Sequence, residues 1–339
     1  MKKYIIDISI VIIALLGLLT VSFFWKDIKQ QNEPEGNYKI GVIINFEPAQ
    51  GPNVAGFKAQ MEKLGYKEGQ NTEYVYRITE NIPEKFTSIT EEIASANLDL
   101  IILGSGQVAM ALKQKNLKTP MIIMDIDPTA FISNFKAPEA NITGLRVGFL
   151  DFAAKRLEIM KEIDPTIKKI IVPTGKMHPN YASYMNELRI GASKLNIEIV
   201  EFPTKDLAYF MARYREIIQK KNGDAFIFFP GPNTQPFTPA DRRKIVDQLV
   251  KEKISSITHN MEIGANEGIL IGYGNHRADV GLEAAVLADK ILTGTPIKEL
   301  PVEPSIKTLH LEINLKTAKD IGITIPQDIL ARALKIYNE

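Results

Sequence analysis

The chain has 339 residues, 45% of them hydrophobic, which is enough for two domains with cores of their own. Its 41 basic and 40 acidic residues leave a net charge of +1, so no charge imbalance indicates a nucleic-acid partner. Because the sequence contains no cysteine, it excludes disulfides, thiolate catalysis, cysteine-ligated zinc and a lipid-modified N-terminal cysteine.

An uncharged stretch of eighteen residues, 8–25, follows a short segment that carries Lys2 and Lys3. As a helix it would reach about 27 Å, close to the roughly 30 Å of a bilayer core. We therefore expect a cytoplasmic segment at residues 1–7, an uncleaved transmembrane anchor at 8–25 and a polar tether at 26–37. A cleaved signal peptide is the alternative, and under either interpretation the remainder of the chain is exported.

From Tyr38 onward, short apolar strands alternate with amphipathic helices. Residues 39–45 form the first strand, which a polar loop and a helix follow, and residues 169–174 begin the same order again. Near-continuous apolar strands of this kind are typical of parallel sheets that are buried on both faces. The sequence therefore predicts two copies of one βαβαβ unit, each forming a Rossmann-like lobe.

A late apolar strand and the helix after it, residues 278–292, indicate that the chain crosses back to the first lobe. We predict that lobe 1 contains residues 38–143 and 272–303, and that lobe 2 contains residues 144–271 and 304–339. The expected fold class is α/β, with two Rossmann-like lobes and parallel sheets joined by a multi-strand hinge, preceded by one N-terminal transmembrane helix.

Candidate ligand-binding residues follow two of the predicted strands, at the carboxyl ends where open α/β sheets bind ligands. Free N–H groups in the turn Gly104-Ser105-Gly106-Gln107 would attract a carboxylate or phosphate, although an ordinary strand-to-helix turn has the same composition. Asp125 and Asp127 could hold an ammonium group. Their alternative role is to cap the turn before Pro128.

Motifs for catalysis and metal binding are missing from the sequence. The four histidines have no pair at metal-ligand spacing, the dinucleotide fingerprint lacks its third glycine, and Gly104-Ser105-Gly106 is too short for a nucleophile elbow. We expect no enzyme, no cofactor and no metal. Phe46, Tyr181 and Tyr273 could pack on a flat or apolar ligand or simply fill the cleft rim, and Arg242 with Arg243 is interpreted as a solvated face.

A series of short motifs resembles the extracytoplasmic substrate-binding proteins of ABC importers, in their tryptophan/tyrosine-type group with the periplasmic-binding-protein type I fold. The early motifs are Gly56-Phe57, Leu64-Gly65-Tyr66 with Gly69 and Asn71, Asp127-Pro128, and Asn141-Ile142-Thr143-Gly144. Further motifs are Lys155-Arg156-Leu157, Asp164-Pro165, Gly281 with Ala284-Ala285, Ile291-Leu292 with Gly294 and Pro296, Leu300-Pro301, Ile313-Asn314 with Ala318, and Gly322-Ile323 with Ile325-Pro326. Each motif is loose alone, and their order along the chain is what makes the resemblance specific.

The resemblance implies two lobes that close on a small molecule, commonly an amino acid, and deliver it to an ABC permease. We expect the protein to be a monomer. It places the cleft loops at residues 46–51, 104–107, 125–127, 174–181, 231–234, 259–262 and 273–275. The expected ligand-binding residues are Phe46, Glu47, Gly104, Ser105, Gly106, Gln107, Asp125, Asp127, Tyr181, Asn233, Asn260, Tyr273 and Asn275.

The chain departs from the family pattern at its N-terminus, where a transmembrane stretch replaces the lipid-modified cysteine that is usual in Gram-positive organisms. We therefore expect a single-pass protein of the cell membrane with its C-terminal domain extracytoplasmic, or a secreted or periplasmic protein if the segment is cleaved. The alternative function is a membrane-anchored receptor that senses a ligand in the same cleft and acts on a separate signalling protein.

Overall fold

The computed structural model describes residues 34, 36–138, 141–146, 148, 151–176, 181–228, 237–261, 264–305 and 309–338. The strands are β1 (Tyr38–Ile44), β2 (Thr72–Ile78), β3 (Leu100–Gly104), β4 (Met121–Ile126), β5 (Ile142–Arg146), β6 (Lys169–Thr174), β7 (Glu198–Pro203), β8 (Ala225–Phe228), β9 (Ser255–Thr258), β10 (Ile271–Gly274), β11 (Glu303–Pro304), β12 (His310–Asn314) and β13 (Lys335–Tyr337). The α-helices are α1 (Glu47–Lys63), α2 (Pro83–Ser95), α3 (Gly106–Gln114), α4 (Ala153–Ile163), α5 (Tyr181–Lys194), α6 (Leu207–Ile217), α7 (Pro239–Lys251), α8 (Arg277–Leu292), α9 (Leu315–Ile321) and α10 (Gln327–Arg332).

The strands form two sheets. The first has the order β11-β5-β4-β3-β1-β2, and the second has the order β13-β12-β10-β9-β8-β6-β7. The series β2-β1-β3-β4-β5 and β7-β6-β8-β9-β10 are therefore the same arrangement, built twice from parallel strands. This confirms the predicted repeat and the α/β class with two lobes.

Each sheet is buried on both faces, as the apolar strands predicted. In β1, Ile40, Val42 and Ile44 pack on one face with residues of α1 and α8. Ile43 points to the other face and packs with residues of α2 and α3. The second sheet has two such clusters as well, one with α4 and α5 and one with α6 and α7. We call each sheet together with the helices packed on it a lobe, so that α8 belongs to the first lobe.

Helices α1 and α8 approach each other more closely than side chains normally allow. A Cβ atom at Gly56 would lie 2.0 Å from the carbonyl oxygen of Ala278, and one at Gly281 would lie 1.9 Å from that of Asn53. Only glycine leaves room for backbone atoms at such distances. The two glycines therefore fix α8 rigidly against the first lobe.

Three chain crossings connect the lobes, after β5, after β10 and between β11 and β12. The N–H of Ser305 donates to the carbonyl of Arg146 at 3.0 Å, and the Asn275 amide Nδ2 donates to the carbonyl of Ser305 at 2.9 Å. All three crossings are thus tied to one another. Strand β10 pairs with β9 and β12 of the second sheet, so the chain returns to the first lobe only after Gly274, and the predicted boundary at 271/272 falls inside this strand.

Two local predictions were wrong. The cleft loop expected at residues 46–51 is helical from Glu47. Pro48 lies in the first turn, where its missing N–H would have no partner, whereas Pro52 lies inside the helix and leaves one intrahelical hydrogen bond unmade. Arg242 does not lie on a solvated face. Its guanidinium is buried and forms a bidentate ion pair with Glu267, with Nη2 to Oε1 at 2.8 Å.

The predicted N-terminal segment and anchor lie outside the described residues, as does most of the predicted tether. Within the part of the chain that the structure describes, no helix combines the length and the apolar character needed to cross a membrane.

Candidate functional site

The predicted binding residues of the first lobe follow three neighbouring strands. Phe46 and Glu47 come after β1, the turn 104–107 ends β3, and Asp125 and Asp127 lie at the end of β4. Since parallel strands present their carboxyl ends at one edge of a sheet, the fold brings these residues to one edge of the first lobe.

Gln50 joins the turns that follow β1 and β3. Its Oε1 accepts the N–H groups of Asn45 at 2.7 Å and Phe46 at 3.2 Å, and its Nε2 donates to the carbonyl of Gly104 at 2.7 Å. The side chain thus reaches back to the start of its own helix, as in a capping box, while it holds the second turn. Sequence analysis missed this residue, because a glutamine in a helix's first turns gives no signal of a contact 54 residues away.

Replacing Gln50 with glutamate should destabilise the protein by about 1–3 kcal/mol at pH 7, because a carboxylate oxygen would then face the carbonyl of Gly104. That contact raises the pKa of the introduced carboxyl, so the loss should be present at neutral pH. It should disappear below about pH 4, where the group is protonated in both the folded and unfolded states. Urea unfolding at both pH values measures this, with Gln70→Glu, an exposed site, as the control. Equal losses of unfolding free energy in Gln50→Glu and Gln70→Glu would contradict this prediction.

Ser105 caps helix α3 and is fully buried. Its hydroxyl oxygen accepts the N–H of Val108 at 3.5 Å. The next two residues, Gly106 and Gln107, are more exposed, and a Cβ atom at Gly106 would meet no atom of the described residues within 4 Å. The start of α3 therefore presents backbone N–H groups beside open space, which suits a ligand anion.

Phe46 and Glu47 differ in their surroundings. The Phe46 side chain is 46% exposed at the carboxyl end of β1, so its ring has a face open to a ligand. The Glu47 carboxylate accepts a hydrogen bond from the hydroxyl of Tyr76. Burial, together with this hydrogen bond, raises the pKa of Tyr76, so its hydroxyl remains a donor.

The two aspartates after β4 have different partners. Asp125 has a φ of +58° at a bulge in the strand, and its Oδ2 lies 3.6 Å from Nη1 of Arg277 at the start of α8. Asp127 is half-buried, and its Oδ1 accepts the N–H of Thr129 at 3.0 Å. This is the predicted turn-capping contact. A carboxylate accepts several hydrogen bonds, so Asp127 retains capacity for an ammonium group.

In the second lobe, Tyr181 begins α5 close to the end of β6. Its hydroxyl donates to Oε1 of Glu201 at 2.5 Å, and Thr174 donates to the same oxygen at 3.0 Å. Arg189 contacts the other carboxylate oxygen at 2.8 Å. The hydrogen bond to Glu201 raises the pKa of Tyr181 and fixes the orientation of its ring.

Tyr273 lies in β10 and packs edge-on against Phe152, with 5.9 Å between ring centroids. Its carbonyl accepts a hydrogen bond from Nε of Arg156 at 3.3 Å. Arg156 is fully buried, and this burial lowers its pKa. Asn260, after β9, is half-buried, and its N–H donates to the Thr258 hydroxyl at 3.2 Å.

Two predicted residues lie elsewhere. Asn275 is in the crossing after β10, where its side chain binds Ser305, so the structure places it in the hinge. Asn233 lies outside the described residues. In the described ranges no three histidine, aspartate or glutamate side chains are grouped to hold a metal ion.

Residues 39–337 match the profile of the family described as "ABC transporter substrate binding protein". The match covers both lobes and all three crossings. The chain belongs to this family.

Known proteins are similar to the chain along most of its length. The tyrosine-binding protein of Clostridioides difficile strain R20291 is 24% identical over 300 residues, covering 87% of this chain and 83% of that protein. A Streptococcus pneumonia ABC domain crystallised with L-Trp has a TM-score of 0.72 at 20% identity, covering 89% of this chain and 100% of the other. The ligand-free, open structure of a Clostridium difficile substrate-binding protein with adhesive properties has a TM-score of 0.70 at 22% identity, with the same coverage. These likenesses agree on the fold.

Proposed function

We propose that this protein is an extracytoplasmic solute-binding protein that captures an amino acid between its two lobes and delivers it to an ABC permease. The observation that carries the proposal is the family match, which spans both lobes. Tryptophan and tyrosine are the first candidate ligands, since the similar proteins include a tyrosine-binding protein and a complex with L-Trp.

The first lobe offers groups for both ends of an amino acid. N–H groups of Gly106 and Gln107 at the start of α3, the helix that Ser105 caps, would bind the carboxylate. Asp127, with Asp125 beside it, would bind the ammonium group. Gln50 holds the turn at Gly104 in position for this.

The side chain of the ligand would lie against aromatic and polar groups from both lobes. Phe46 of the first lobe and Tyr273 of the second would stack on it, and Tyr181 and Asn260 would line the second wall. Closure of the lobes would then bury the ligand and form the surface that a permease recognises. This function involves no catalytic step and no cofactor.

The uncharged stretch at residues 8–25 would anchor the protein, as a monomer, to the outer face of the cell membrane. The sequence has no cysteine that could carry a lipid anchor, so a transmembrane segment would provide the attachment instead.

The test is the melting temperature of the full chain, purified in mild detergent, with each of the twenty amino acids. A ligand at a hundred times its dissociation constant adds about 2.7 kcal/mol, and each kcal/mol raises the midpoint by roughly 2–4 °C. We expect a rise of about 5–10 °C with one aromatic amino acid, or a small group of them. No rise with any amino acid would reject the proposed ligand class.

A further inference from the structure

Two histidine–carboxylate pairs lie side by side at the hinge. Nε2 of His310 is 2.8 Å from Oδ2 of Asp279, and Nε2 of His276 is 3.4 Å from Oε1 of Glu312. The two imidazole rings are in contact, with 5.1 Å between their centroids. Glu312 is the most buried of the four, with 2% of its side chain exposed.

Both pairs connect one lobe to the other. His276 and Asp279 lie at the start of α8, which the close contacts at Gly281 fix to the first lobe. His310 and Glu312 lie in β12, which is hydrogen-bonded to β10 within the second sheet. Any rotation of one lobe against the other about the hinge therefore changes the geometry of both pairs.

The charge of this cluster depends on the protonation of its histidines. With both imidazoles protonated, two cations balance two carboxylates. With both neutral, two carboxylates remain near each other in a largely buried place, which costs free energy. Histidine is the side chain that ordinarily changes charge between about pH 5 and pH 8.

Other charged groups lie around the cluster, and one of them, Lys335, is the cross-strand neighbour of Glu312 and adds a positive charge on that side. Arg277, next to His276, forms its ion pair with Asp125 of β4. On the β13 side, the Tyr337 hydroxyl donates to Oε2 of Glu312 at 3.2 Å, and Lys335 lies 4.7 Å from the centre of the Tyr337 ring.

We propose that His276 and His310, through Glu312 and Asp279, are positioning residues that set the relative position of the two lobes in response to pH. Protonation strengthens both pairs and favours the arrangement described here. Loss of the protons weakens the pairs and frees the lobes to rotate. The proposal concerns the hinge in the absence of ligand, so it stands or falls independently of the ligand's identity.

The test measures the distance between the lobes in the full chain. Because the sequence has no cysteine, the exposed residues Ser88 in α2 and Ser193 in α5 can be replaced by cysteine and spin-labelled specifically. Double electron–electron resonance at about pH 5 and about pH 8 then gives the distance distribution in each charge state. We expect the distribution at low pH to narrow around the separation of the present structure, and to broaden and move away from it at high pH.

The double variant His276→Gln/His310→Gln should give one distribution at both pH values. The single variant His310→Gln should lose most of the pH-dependent change in distance. It provides a second measurement if the double variant folds poorly. A wild-type distribution that does not change with pH, or a shift that persists in the double variant, would overturn the proposal.

Discussion

Replacing Gly281 with alanine is expected to lower the free energy of unfolding by about 3 kcal/mol or more, at the upper end for overpacked sites. The new Cβ atom would lie 1.9 Å from the carbonyl oxygen of Asn53 and 2.5 Å from the N atom of Phe57. Both are backbone atoms of α1, so no side-chain rotation relieves the contact. The helices must separate, which opens the packing of Val280 and Ala284 against the first sheet.

Denaturant unfolding and the melting temperature both measure this effect, and a loss of this size corresponds to roughly 6–12 °C in the midpoint. Gly106→Ala is the matched control, because Gly106 begins helix α3 and its added Cβ would meet no described atom within 4 Å. The control should change stability by less than about 0.5 kcal/mol. If Gly281→Ala and Gly106→Ala had the same melting temperature, α1 and α8 would not approach each other as closely as described.

Replacing Asp127 with asparagine is expected to weaken the binding of the amino acid by roughly 10- to 100-fold, the range for a lost hydrogen bond to a charged group. Asparagine keeps a side-chain oxygen that can accept the N–H of Thr129, which Asp127 binds at 3.0 Å. The substitution therefore removes the charge and preserves the turn. Titration calorimetry of the full chain with L-tryptophan or L-tyrosine gives the affinities.

A deaminated analogue of the ligand, such as indole-3-propionate for tryptophan, separates charge from shape. It lacks the ammonium group, so wild type and Asp127→Asn should bind it equally. Asp125→Asn should weaken binding of the amino acid less than Asp127→Asn does, because the charge of Asp125 is already paired with Arg277. A similar loss for the amino acid and its analogue would show that Asp127 does not bind the ammonium group.

Much of the fold could be predicted from the sequence, because strands buried on both faces are apolar at nearly every position. Residues such as Ile40, Val42 and Ile43 show this pattern, and its recurrence after residue 169 predicts the repeated unit. The same local patterns placed the turn 104–107 and Asp127 at the carboxyl ends of strands. Helix starts were less certain, since Pro48 fits a loop as well as a first turn and Pro52, inside the helix, favours a loop.

Contacts between distant segments were decided by the tertiary structure alone. Gln50 reaches Gly104, Asn275 reaches Ser305, and His276 reaches Glu312, and in each case the partner's identity depends on how the strands are ordered in space. Hydrophobic periodicity indicates only which face of a helix or strand is buried. It does not identify the residue that a polar side chain on that face contacts. The sequence by itself therefore determined two lobes, their class and the sheet edge that carries the candidate binding residues. Only the folded chain decided how α8 is fixed, which residues join the turns and what lies at the hinge.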